Sequence, residues 1–335
     1  MLFRSLISVI LQKKNLTKFL KLIFPLLIGI LFIYLTVKDT TAEDRKTIIE
    51  AVKNADYRFV ILSLILGMIS HLSRAYRWNF MLHPMGYRPK LMNNILAIFI
   101  TYIANLGVPR SGEFFRATVM KTYEDIPFEK SFGTIIAERM VDLMMLLLVI
   151  GIALLIQFDF IMLFLKEQSF NPTTLVIVIL LVGLGLWVLV KQLKRSQSVI
   201  AKKIIGLIEG LTEGVLTLVK MPKKWAYIFH TFLIWGLYIF MFYIVKWALP
   251  ETVNLPFEAL LIGFLVGAIT ISATNGGIGI YPFSVSLVLI SYGISKESSL
   301  AFGWIMWTAQ TIMVLFFGGL SFLVLPLLNR KKLVP

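Results

Sequence analysis

The sequence predicts an all-α polytopic membrane protein with six full spans and two broken re-entrant hairpins, and three observations lead there. Apolar runs of about 20 residues recur along the 335-residue chain, each long enough as a helix to cross a hydrocarbon core of about 30 Å. The composition is 58% hydrophobic and 15% charged, where soluble domains carry about 25% charged residues. Basic residues concentrate in particular connections, as the positive-inside rule requires. The short alternating segments of a β-barrel are absent.

The six spans are expected near 19–37, 59–82, 131–157, 174–190, 225–249 and 299–326. Two further apolar stretches, 91–120 and 257–292, are interrupted by Gly, Pro and Asn. Arg4, Lys13, Lys14, Lys18 and Lys21 precede the first run without an acid among them. That run is too long and too far from the start for a cleaved signal peptide. The connection 191–224 carries eight Lys/Arg against two Glu, and the tail carries Arg330, Lys331 and Lys332. These three segments are assigned to the cytoplasm, which puts both termini on the cytoplasmic side of the cell membrane. The connection 38–58 balances five bases with five acids and is assigned outside.

Orientation then forces the topology. Span 59–82 runs inward and span 131–157 outward, so 91–120 begins and ends on the cytoplasmic side and is a hairpin. The same reasoning gives 257–292 two outer ends. Residues 19–157 and 174–326 therefore read as two inverted halves of a single transmembrane domain, residues 1–335. In each half the break falls inside the hairpin, at Asn105–Arg116 and at Thr274–Pro282. Interrupted segments at corresponding places in inverted halves point to a transporter's binding site. Irregular backbone at membrane depth survives only when buried in protein or lining a wet cavity.

Gly107, Pro109 and Gly112 break the first hairpin. If helix runs through 110–120, then Arg110, Glu113 and Arg116 share one broad face and pair. His71, Arg74 and Arg77 lie three apart on the cytoplasmic half of span 59–82 and form a basic wall suited to lipid phosphate. The competing reading of Arg77 is snorkelling to headgroups. Glu138 and Asp142 share a face of span 131–157, with Asp142 about 16 Å deep. Arg139 is expected to point about 100° away from both. The alternative for these charges is a structural ion pair, and for 110–116 a stapled hairpin. In the second hairpin Thr274, Asn275, Gly276, Gly277 and Gly279 lead to Tyr281 and Pro282, either a tight turn offering amides to an anion or close packing. Gln310, near Trp304 and Trp307, is read as an interhelical hydrogen bond. Lys246 is expected to snorkel outward, and His83 and His230 to be interfacial. Leu193, Ile200, Ile204, Leu207, Ile208, Leu211 and Val215 suit an amphipathic helix on the inner leaflet.

Several classes are excluded or disfavoured. The net charge of +15 is assigned to anionic lipid and not to nucleic acid. With no cysteine, thiolate sites and disulfides are absent. No P-loop, zincin, nucleophile-elbow or metal-spacing motif occurs, so no cofactor is expected and the chain is not expected to be an enzyme.

Asn105, Pro109, Arg110, Gly112, Glu113 and Arg116, together with Glu138, Arg139 and Asp142 and the glycine hairpin, resemble the lysylphosphatidylglycerol synthase transmembrane region, or flippase-like, family. The likeness covers roughly residues 15–330. One residue fewer separates Pro109 from Arg110 than in the family pattern. Two-domain members continue into an aminoacyltransferase domain. Here only Asn329 to Pro335 follow, so the resemblance implies the translocating part alone. The implied function is a lipid translocase acting on a phospholipid, an aminoacylated lipid, or a lipid-linked saccharide or isoprenoid lipid. Arg74, Arg110 and Arg116 would contact phosphate, while Glu113, Glu138 and Asp142 would hold those arginines or a cationic headgroup. The alternative is a non-transporting membrane subunit that organises a lipid or glycan enzyme. Gly and Ser within the spans leave homo-oligomers and an enzyme partner both open.

Overall fold

The computed structural model describes residues 41–108, 110–158, 191–192, 198, 221–274 and 276–330. The expected spans 19–37 and 174–190, nearly all of the connection 191–224, the N-terminal basic cluster, Pro109, Asn275, Lys331 and Lys332 lie outside them. The described residues are helical, with no strand among them. The chain divides into two compact units, one comprising 1–132 and 226–335 and the other 133–225.

In the first unit, α1 (Ala42–Asn54) opens with a capping box. Thr41 Oγ1 accepts from Asp44 N at 3.1 Å, and Asp44 Oδ2 accepts from Thr41 N at 2.7 Å. None of its residues is buried, so its polar surface suits the margin of a membrane domain better than its core. Helix α2 (Tyr57–Leu82) starts on Asp56, whose side chain accepts from Arg58 N. The Arg58 side chain bonded to Asp56 holds that carboxyl below its ordinary range.

The two faces of α2 are reversed relative to a soluble helix. Ser63, Ser70, Arg74 and Arg77 are buried, with Gly67 completing the stripe at alternating steps of four and three residues. Ile61, Ile65, Ile69, Leu72 and Tyr76 are exposed on the opposite side. Apolar residues outward and polar residues inward are what a lipid solvent favours, since lipid leaves apolar groups content and polar groups unsatisfied. Gly67 lets two neighbouring helices approach, with Gln310 and Met241 atoms 3.2 and 3.3 Å from where a Cβ would stand.

Two helical hairpins follow the same plan. In the first, α3 (Leu91–Gly107) turns back into α4 (Gly112–Glu124). In the second, α7 (Phe257–Ala273) turns into α8 (Ile280–Ser291). The long helices are α5 (Phe128–Ile156), α6 (Lys224–Ile244, continued by a 3₁₀ turn to Ala248) and α9 (Lys296–Leu328). Together with α2 these are the four helices long and apolar enough to cross a membrane among the described residues. All four lie on expected spans, and both hairpins lie on the expected interrupted stretches.

Helix α9 organises the first unit. Its 33 residues extend about 50 Å. Near its start, Gly303 packs so tightly on Pro282 of α8 that a Cβ would lie 2.7 Å from Pro282 Cα. Further along, Gly318 faces Ile103 of α3 at 2.7 Å by the same measure. At its end, Asn329 exchanges amide hydrogen bonds with Asn93 of α3 at 3.0 and 3.2 Å. The open end of the first hairpin therefore lies at the C-terminal end of α9, and that of the second at its N-terminal end. The hairpins run toward each other and meet tip to tip: a Cβ on Gly276 would stand 2.3 Å from Leu106 Cδ2.

Lys246 departs from expectation. It is buried, donates from Nζ to Leu255 O at 2.9 Å, and lies 5.0 and 5.3 Å from the Tyr243 and Trp247 ring centres. A nearby carbonyl and two aromatic faces offer the ammonium a closer alternative to snorkelling. His83 is exposed just past the end of α2. In the second unit α5 buries Ile135, Glu138, Val141, Met145 and Val149 along one stripe.

The hairpin packing makes a clear prediction. In Gly112→Ala the new Cβ would fall 2.1 Å from the Thr101 carbonyl oxygen, whereas at Gly107 nothing lies within 4 Å. Gly112→Ala is expected to lose at least about 1–3 kcal/mol and Gly107→Ala to be neutral or slightly stabilising, measured as folded monodisperse protein surviving a thermal ramp in detergent.

Candidate functional site

The site is built from three parts of the first unit. The first is the basic half of α2. Arg74 and Arg77 are 3% and 0% exposed. They lie about 12 and 8 Å from the helix end at Leu82, so Arg77 is fully enclosed and does not snorkel. Arg77 Nη1 donates to Thr231 Oγ1 on α6 at 2.8 Å, and its guanidinium lies 5.0 Å from the Tyr227 ring centre. Arg74 lies 6.0 Å from the ring of Tyr238. His71 is enclosed by Tyr102, Phe99 and Tyr238, with ring centres 4.6, 5.7 and 6.2 Å away.

The second part is the first hairpin. Arg116 is fully buried on α4, with its guanidinium 3.7 Å from the Trp78 ring centre on α2. Each buried arginine among the described residues of this unit thus has an aromatic neighbour from another helix. Placing a cation at membrane depth costs roughly 2.5–3.5 kcal/mol on insertion scales. A desolvated cation–π contact returns about 2 kcal/mol, so the rings offset much of that cost.

At the hairpin tip, Asn105 Oδ1 accepts from Gly112 N at 2.8 Å and Asn105 Nδ2 donates to Glu113 Oε2 at 3.5 Å. Ser111 Oγ donates to Val108 O at 2.8 Å and to Ala104 O at 3.1 Å. These bonds satisfy backbone groups that the helix break releases. Glu113 and Arg116 lie three apart on one helix as expected, but Arg110 does not join their face. Helix α4 begins at Gly112, and Arg110 precedes it in a left-handed turn with φ 61°, exposed at the tip. Asn105, one turn before the break, is a partner of Glu113 that the spacing did not indicate.

The third part is the second tip. Gly276, Gly277 and Gly279 adopt φ of 63, 75 and 69°, which glycine alone tolerates readily. Gly277 N donates to Thr274 Oγ1 at 3.1 Å, and Gly276 O accepts from Trp307 Nε1 at 2.8 Å. Tyr281 is buried within this hairpin, its ring against Gly267. Gln310 Nε2 donates to Ser63 Oγ at 3.5 Å, the expected interhelical bond.

In the second unit, Glu138 is fully buried, and Arg139 Nη1 pairs with Asp142 Oδ2 at 3.5 Å. The expectation that Arg139 points away from Asp142 fails, because residues three apart on a helix are neighbours.

Sequence reasoning missed Trp78, Tyr227, Tyr238 and Thr231, which come from distant elements and carry no local signal. It also missed the clamp at the open end of the first hairpin, where Glu124 Oε1 accepts from Lys90 N and from Asn93 Nδ2. The adjacent amides Asn93 and Asn94, both buried, were a legible polar signal at the start of an apolar run. His230 is half-buried, with its Nδ1 2.8 Å from Ser73 Oγ on α2.

A polytopic helical membrane protein with opposed hairpins and aromatic-backed arginines is the class these features define. Residues 22–318 match the family described as the lysylphosphatidylglycerol synthase TM region, and the chain belongs to that family. It is 24% identical to the UPF0104 membrane protein PH1989 of Pyrococcus horikoshii over 85% of this chain and 91% of that one. It is 26% identical to the UPF0104 membrane protein MJ1595 of Methanocaldococcus jannaschii over 82% of this chain and 78% of that one. A stretch of 112 residues is 31% identical to the glycosyltransferase AglD of Haloferax volcanii, covering 33% of this chain and 18% of AglD. No solved structure matches.

The Arg77 contact gives a test. Thr231→Val keeps side-chain volume but removes the acceptor of Arg77 Nη1. A hydrogen bond to a buried cation contributes about 1.5–3 kcal/mol, and Thr231→Val is expected to lose stability in that range, read from thermal unfolding in detergent.

Proposed function

We propose that this protein is a lipid translocase of the cell membrane that moves a phosphate-bearing lipid between leaflets and carries out no catalysis of its own. The observation that carries this reading is the meeting of two opposed hairpin tips, Leu106 against Gly276, in the same unit as the buried Arg74, Arg77 and Arg116. In this reading the hairpins are re-entrant, the halves 19–157 and 174–326 form an inverted repeat, and both termini are cytoplasmic. The basic half of α2 then opens to the cytoplasmic side.

A phosphate headgroup would travel along the arginines while its tails remain in lipid. Guanidinium groups suit this because their planar fork binds two phosphate oxygens. Arg110, exposed at the first tip, would meet the phosphate where the hairpins part. Glu113 would hold the tip through Asn105, and Glu138, Arg139 and Asp142 would supply the charge balance of the second unit.

A second reading is a non-transporting membrane subunit that organises a lipid or glycan enzyme. The partial likeness to a protein named as a glycosyltransferase favours it. The readings separate in proteoliposomes that hold purified protein and headgroup-labelled lipids. A translocase moves label between leaflets, and Glu113→Gln is expected to slow that movement at least tenfold with the melting temperature unchanged. Unaltered movement in Glu113→Gln overturns the role of Glu113. Folded wild-type protein that moves none of phosphatidylglycerol, an aminoacylated lipid, a glycolipid and a polyprenyl phosphate, yet co-purifies with a glycan-synthesising enzyme, supports the subunit reading.

A further inference from the structure

Two buried polar nitrogens of the first unit have no hydrogen-bond partner among the described residues. They are His71 Nδ1 on α2 and Trp235 Nε1 on α6. Each side chain is 8% exposed. Both rings contact Tyr238, with centres 6.2 Å away for His71 and 6.4 Å for Trp235. Buried polar groups in folded proteins are nearly always satisfied, and each exception calls for an explanation. Here two exceptions share one neighbour, and Arg74 lies beside that same ring. Tyr102, against the other side of His71, and Tyr238 are both part-exposed. They form a partly open aromatic wall over an enclosed polar floor.

The position is also telling. His71 lies about 21 Å from the start of α2 and about 16 Å from its end, near mid-depth. Arg77, Arg74 and His71 follow one another from the helix end toward that point. A headgroup drawn in by the arginines would reach His71 and Trp235 last.

We propose that His71 and Trp235 form the deepest headgroup subsite, and that it selects a phosphate bearing an uncharged hydroxyl substituent over one bearing an ammonium. This rests on the translocase reading and narrows its substrate. The selection follows from donor and acceptor chemistry. An indole N–H only donates, and so does a guanidinium, while an imidazole nitrogen either donates or accepts. A hydroxyl answers both kinds of group, because it accepts from Trp235 and donates to or accepts from His71. An ammonium has no lone pair to offer Trp235 and would sit beside the Arg74 cation.

The test uses two variants that keep ring packing and remove the nitrogens, His71→Phe and Trp235→Phe. Binding of short-chain phosphatidylglycerol and phosphatidylethanolamine to the full-length protein in detergent is measured by titration calorimetry. The wild type is expected to bind phosphatidylglycerol about tenfold more tightly. Each variant is expected to lose about tenfold in phosphatidylglycerol affinity with phosphatidylethanolamine affinity unchanged. His71→Phe is expected to melt no lower than wild type, because it removes a buried group that has no partner; a merely structural histidine would lower melting and leave headgroup selection intact. Equal affinity for the two lipids in the wild type, or unchanged phosphatidylglycerol affinity in both variants, overturns the subsite. The leaflet assay keeps this separate from the translocase reading. Lipid movement that is insensitive to both variants removes the subsite alone, and selective binding without movement removes the translocase alone.

Discussion

A broken helix inside a bilayer has to be sealed by protein, and the first unit is organised around that constraint. Lipid offers no hydrogen bonds to the backbone groups a break releases. Both hairpin tips are sealed by close backbone packing and by local side chains. Gly112 allows α4 to fold directly onto Thr101 of α3, and Gly303 and Gly318 let α8 and α3 lie against α9. A side chain at Gly303 or Gly318 would separate a hairpin from the long helix they share, and one at Gly112 would part α4 from α3. The free groups at the tips are then taken by Asn105 and Ser111 in one hairpin, and by Thr274 and Trp307 in the other. Glycine sets the distances, and the polar side chains close the ends.

The same solvent logic explains the arginines. In water a buried guanidinium is an oddity, but in lipid the interior of the protein is its best refuge. Burial therefore costs less here than exposure would, provided that partners are near. Trp78, Tyr227 and Tyr238 supply aromatic faces at 3.7, 5.0 and 6.0 Å from the three guanidinium groups. These contacts cross between helices, so the arginines also tie α2 to α4 and α6. A phosphate that binds them meets cations already positioned by rings, and little side-chain ordering is left to be done on binding.

Much of this architecture was legible in the sequence because membrane helices announce themselves by length and composition. The long helices α2, α5, α6 and α9 and the paired short helices were placed from apolar runs and their Gly and Pro breaks. The burial of Arg74, Arg116 and Glu138 followed from charges set within apolar runs. What could not be read was partnership. Nothing near Arg116 in sequence indicates Trp78, and nothing near Gly276 indicates Leu106, since each pair is brought together by helix packing. Local geometry was misjudged at two points. Arg110 was assigned to a helix that starts only at Gly112, and the three-residue spacing of Arg139 and Asp142 was read as a separation when it makes a pair. Lys246 shows the limit of composition rules, because a carbonyl nine residues along the chain takes its ammonium in place of the headgroup region.

The two hairpins are alike in backbone and unlike in chemistry. Their helices number 17 and 13 residues in the first and 17 and 12 in the second. The first carries Arg110, Glu113 and Arg116 at or near its tip. In the second, Glu258 at the start of α7 is the one charged residue between 257 and 295. If charge at the tips were needed only to hold a hairpin together, both would require it, and the second shows that a glycine turn with one threonine and one tryptophan suffices. Closure alone therefore does not require charge, and on the proposed reading the charges of the first hairpin serve the headgroup as well as the tip. They lie on the side of the unit where α2 buries Arg74 and Arg77, so polar chemistry is concentrated on one side of the meeting point and an uncharged plug closes the other. A headgroup arriving from the charged side would lose its electrostatic partners on passing the tips, which favours a site that holds the headgroup just before them, where His71 and Tyr238 lie.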